Sequence, residues 1–158
     1  MNDSIKIADY EPVIREVIES GGEFSLRPHG TSMLPMLSDG GDTVILKKKL
    51  PEVGDVVFFK RDNGEYVMHR LVKIRRDGYV MRGDNQVTNE YGIRENNVIA
   101  VITAFVKDGK RVETSDSEYL KYVDSLDGIY KKRKTKEIIR KAVYAVFPFL
   151  KKEGKDDN

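Results

Sequence analysis

The chain contains no cysteine, which excludes disulfides and thiolate metal sites and leaves its compartment open. Histidine is nearly absent as well: His29 and His69 are the only two, too few for a histidine-rich metal centre. No metal or cofactor is implied. Long apolar runs are missing. Near the C-terminus the longest uncharged stretch is residues 142–150, against the roughly 20 apolar residues of a spanning helix. The opening MNDSIKIADYEPVIREVIES carries acids and lacks the apolar core of a secretory signal. These absences predict a protein with no signal peptide and no transmembrane helix, cytoplasmic or peripherally membrane-associated. Net charge is small too, +2, and gives no argument for a nucleic-acid partner.

What is present suits a folded chain. Its 158 residues, 34% charged and 39% hydrophobic, are enough to bury a core. In residues 8–20, Tyr10, Val13, Ile14, Val17 and Ile18 recur at helical spacing, and Gly21-Gly22 ends the segment. From Glu23 the pattern changes to short β-branched runs: FSLRP, DTVILKK, DVVFFKR, EYVMHRLVKI, YVMRG and NVIAVITAFV. Turn signals at Ser38–Gly41, Asp62-Asn63-Gly64 and Asp77-Gly78 separate several of them. The expected fold is mainly β with flanking helices, a compact antiparallel, barrel-like domain. Past Thr114 the chain turns helical, with Ser115-Asp116-Ser117 as a cap. The expected organisation is an N-terminal helix (1–22), a β domain (23–114), a C-terminal helical segment (115–152) and a disordered tail (153–158).

The chemically informative stretch is GTSMLPML, residues 30–37. Glycine before a serine permits close backbone approach, and Pro35 stiffens the exit. Such a loop can set the Ser32 hydroxyl at the edge of a groove beside its own backbone N–H. A nucleophile with an oxyanion site has that requirement.

Further segments follow in order: GDTVIL (41–46), VGDVVFF (53–59), VMHRLVKI (67–74) and VMRGDN (80–85). The succession resembles the signal peptidase I and LexA-like serine peptidase family, with its G-x-S-M-x-P serine box, two G-D-x-V strand starts, base box and R-G-D-N box. The resemblance covers residues 23–105. Where the bacterial members carry a lysine base, this chain has His69, followed by Arg70, as in the endoplasmic-reticulum, archaeal and sporulation-type signal peptidases. The resemblance therefore implies a Ser-His enzyme, with Ser32 as nucleophile and His69 as general base. Neutral imidazole can take a serine proton near pH 7. An acid commonly fixes the imidazole tautomer, and two candidates remain, Asp84 in R-G-D-N and Glu90, where histidine-type relatives commonly carry aspartate. Some relatives bind the oxyanion with a serine two residues before the nucleophile. Gly30 stands there, so the donor is the Ser32 N–H, another backbone group or a water.

Other polar residues have simpler readings. His29 is a polar residue leaving a strand, Asp42 and Asp55 are turn residues, and Lys60 and Lys73 are solvated strand lysines. The resemblance implies an endopeptidase that cuts an extended peptide or precursor after small residues, the substrate pairing as an added strand. A LexA-like self-cleaving regulator would need a DNA-binding domain and a cleavable Ala-Gly or Cys-Gly upstream. Only 31 residues precede Ser32 and neither dipeptide occurs among them. A non-catalytic peptide-binding module is the third reading. The usual N-terminal anchor of signal peptidases is missing, so the substrate is cytosolic or something else docks the enzyme, a partner or a second copy. The segment 138–150 has an apolar face flanked by Arg140, Lys141, Lys151 and Lys152. It suits a membrane interface or, more simply, packing across the β domain or in a dimer.

Overall fold

The computed structural model describes residues 7–148. Helix α1 spans Ile7–Glu19 and buries Ile14 and Ile18, one turn apart on a single face. Eight strands follow: β1 (Phe24–Leu26), β2 (Thr43–Lys47), β3 (Val56–Lys60), β4 (Tyr66–Arg75), β5 (Gly78–Arg82), β6 (Glu90–Ile93), β7 (Val98–Lys107) and β8 (Lys110–Glu113). Helix α2 spans Ser117–Val146. Contacts divide the chain into two units, residues 1–124 and 125–158. The expected tail 153–158 and the last residues of the 138–150 segment lie outside the described residues.

All strand pairings are antiparallel, and the sheet runs β1-β2-β7-β3-β4-β5-β6 with β8 beside β7. The mainly antiparallel β architecture with flanking helices is therefore as the sequence implies. Each of the six apolar runs supplies a strand. Two further strands, β6 and β8, come from EYGI and KRVE. Both are short, pair with β5 and β7, and turn one apolar residue each, Ile93 and Val112, to the cores.

Alternation along β3 and β4 sorts side chains onto two faces. Val56, Phe58 and Met68 join the larger core with Ile14, Ile18, Met33, Leu37 and Ile102. Val57, Phe59 and Leu71 join Met81 and Ile93 in a smaller cluster on the other face. The register pairs Val57 with His69 and Val56 with Arg70. His69 therefore belongs to the second face, with the Phe59 ring 6.2 Å away, and Arg70 to the first.

Candidate active site

Ser32 sits half-buried in a turn between β1 and β2. Gly30, at φ +101°, turns the chain into it, and a side chain there would be strained. Two anchors hold the turn. On one side the loop after β5 binds its backbone: Asn85 N–H donates to the Ser32 carbonyl at 2.8 Å, and Asn85 Nδ2 donates to the Thr31 carbonyl at 3.2 Å. Gly83 packs so tightly that a Cβ there would lie 2.6 Å from the Ser32 carbonyl oxygen. On the other side Lys107 Nζ reaches the Pro35 and Met36 carbonyls at 3.1 and 3.2 Å and the Asp42 carboxylate at 3.3 Å. Glycine and asparagine of R-G-D-N thus fix the serine backbone.

His69 comes from the middle of β4, its side chain 5% exposed. Ser32 and His69 line the same cavity of about 470 Å³, whose apolar walls include Leu26, Met33, Leu37, Phe58 and Met68. A second cavity, of about 540 Å³, is lined by His69, Arg61 and residues 85–90. β4 pairs with β5 only from Arg70 onward. Among the described residues, Tyr66–His69 therefore have β3 on one edge and no strand on the other, at the wall of the first cavity.

The two candidate acids part company here. Glu90 Oε2 lies 3.3 Å from His69 Nδ1, although that nitrogen is buried without an aligned hydrogen-bond partner. Such loose geometry is common before substrate arrives. Asp84 turns to the opposite face of β4. There Arg70 Nε and Nη2 grip its carboxylate at 2.8 and 2.6 Å, and Tyr122 donates to it at 2.9 Å. Arg70 also donates to the Gly54 carbonyl at 2.6 Å and the Tyr119 hydroxyl at 3.0 Å. This buried network joins the R-G-D-N loop to the start of α2. Neighbouring residues of a strand point to opposite faces, so one dipeptide, His69-Arg70, serves both arrangements.

Arg61, which spacing alone does not single out, clamps Glu90. Its Nε and Nη2 donate to the two carboxylate oxygens at 2.6 and 2.8 Å, a bidentate pair. Burial pushes the Glu90 carboxyl up, but the Arg61 fork outweighs it and holds the group below the usual carboxylate range. For His69, burial depresses the imidazole pKa, Glu90 opposes the change, and Arg61 adds to it; the net direction is down. Both shifts favour a neutral His69 beside a charged Glu90 at neutral pH.

The remaining polar residues have other work. His29 pairs with Asp39 at 3.3 Å on the surface. Asp42 accepts from the Ser38 N–H at 2.6 Å, and Asp55 from Lys49 and the Glu52 N–H. Lys60 pairs with Glu11 of α1 at 3.1 Å, and Lys73 is exposed. Among the described residues no group of three or more acids, histidines or cysteines could hold a metal, and no helix is long and apolar enough to cross a membrane.

No curated protein and no solved structure matches the chain. A family model described as Peptidase S24-like matches residues 2–106, about two thirds of the 158 residues. That span takes in α1, β1 to β6, nearly all of β7, and every candidate site residue. On that match, the chain belongs to the Peptidase S24-like family.

Proposed function

We propose that this protein is a serine endopeptidase of the signal-peptidase and LexA type that works through Ser32 and His69. The observation that carries the reading is one cavity lined by both residues, with Glu90 Oε2 3.3 Å from the imidazole Nδ1. An extended substrate would lie along the free edge of Tyr66–His69, its backbone paired as an added strand. Ser32 Oγ attacks the scissile carbonyl carbon, and its proton passes to His69 Nε2, the nitrogen away from Glu90. The backbone N–H of Ser32 donates to the oxyanion. His69 then gives the proton to the leaving amine, and water repeats the cycle on the acyl-enzyme. Glu90 stabilises the imidazolium in both steps. Asp84 instead braces the loop that positions Ser32.

Cleavage after small residues is the expected preference. A peptide library digested with the wild-type protein and read by mass spectrometry tests the reading and reports that preference. Cleavage that disappears in Ser32→Ala supports it. A wild-type protein that binds library peptides and cuts none would favour a binding module of the same fold.

A further inference from the structure

The later part of α2, considered by itself, carries a feature that hydrolysis does not use. Residues 131–141 hold seven basic side chains against one acid, Glu137. The apolar side chains beside them are exposed: Ile138 59%, Ile139 58%, Val143 39% and Val146 69%. At 3.6 residues per turn these four, with Ala142 and Ala145, fall on one arc of roughly 160°. Lys136 and Arg140 border the arc on one side, and Lys134 and Lys141 on the other. Glu137 points nearly opposite the arc and pairs with Lys141 at 2.6 Å.

An apolar arc with cations along both borders matches the requirements of a bilayer interface. Isoleucine and valine enter the acyl boundary, while lysine and arginine lay their stems over it and keep their charges among phosphates. Duplex nucleic acid would satisfy the cations and leave the apolar arc in water. A second copy of the same helix would cover the arc but bring the basic borders against one another. We propose that residues 134–146 of α2 bind the surface of an anionic bilayer with the Ile138–Val146 arc facing the lipid. This inference stands independently of the peptidase reading, since it concerns other residues and needs no turnover.

The test is co-sedimentation of the full-length protein with phosphatidylcholine vesicles, with and without phosphatidylglycerol. The wild-type protein should pellet only with the anionic vesicles. Ile139→Glu with Val143→Glu, and separately Lys136→Glu with Arg140→Glu, should each weaken partitioning roughly tenfold or more. All four positions are exposed, so an unchanged circular dichroism spectrum should accompany the loss. The chain has no tryptophan; Val146→Trp should shift its emission to the blue on the anionic vesicles and be quenched by brominated lipid. The proposal is overturned by failure to pellet with anionic vesicles, or by partitioning indifferent to Ile139→Glu with Val143→Glu. Dimerisation of the wild-type protein that this double variant abolishes would also overturn it, as would duplex DNA binding tighter than vesicle binding.

Discussion

Replacing Glu90 by glutamine keeps the shape of the side chain and removes its charge, so it isolates what the carboxylate does for His69. At the observed 3.3 Å and an effective dielectric of about 20, a carboxylate attracts an imidazolium by about 5 kcal/mol. Less than half of that should be expressed, because Arg61 already occupies the same carboxylate and Glu90 is 23% exposed. Roughly 2 kcal/mol is then lost when the imidazolium forms, about a thirtyfold fall in kcat/KM. The pH profile gives the sharper reading. Glu90 raises the His69 pKa and Arg61 lowers it, so Glu90→Gln should move the acid limb of kcat/KM to lower pH and Arg61→Leu should move it to higher pH. With only two histidines, an NMR titration follows His69 directly, and His29 serves as the surface control. Stability follows the same sign. The folded pKa of His69 lies below its unfolded value of about 6.5, so its neutral form contributes stability above that pH, and the contribution is lost as pH falls through the folded value. Glu90→Gln should deepen that acid loss. Equal shifts in the two variants, or no shift in either, would refute the coupling.

Further predictions concern the scaffold around the pair. Asp84→Asn leaves the Arg70 charge buried, at 4% side-chain exposure, without its carboxylate. It should cost about 3–5 kcal/mol in urea unfolding, and a loss below about 1 kcal/mol would contradict the buried-pair assignment. Gly83→Ala pushes a Cβ to 2.6 Å from the Ser32 carbonyl oxygen. About 1–3 kcal/mol of stability should go, with a loss of kcat larger than that of Lys73→Ala on the exposed part of β4; activity equal to wild type would mean that the loop does not position Ser32.

Much of the sheet was legible because β-branched runs alternate with turn residues, and those runs became six of the strands. The short EYGI and KRVE were not, since one core-facing residue each, Ile93 and Val112, makes no alternating pattern and pairing with a neighbour completes the strand. In α2 one 30-residue helix runs through Gly128 and the basic stretch, which do not interrupt it. At the site, Ser32 and His69 were readable as candidates from the order of the motifs. The choice between Asp84 and Glu90 was not, because it depends on which face of β4 each loop returns to. Alternation contained half of the answer, since adjacent His69 and Arg70 must point apart. Arg61 was invisible for a simpler reason: its partner lies 29 residues away, across a hairpin and a loop whose closure no local pattern encodes. Lys107, 71 residues from the Met36 carbonyl that it binds, escaped in the same way.

In the proposed reaction Ser32 is a nucleophile activated by His69. Its most direct measurement is cleavage of one library-derived peptide by wild type, Ser32→Ala, His69→Ala and the double variant, each checked for native folding. A Ser-His unit is strongly non-additive. Both single variants should lose nearly all activity, and the double variant should be scarcely worse than either. Cleavage at the same bond that survives Ser32→Ala, or a His69→Ala enzyme close to wild type, would contradict this activation.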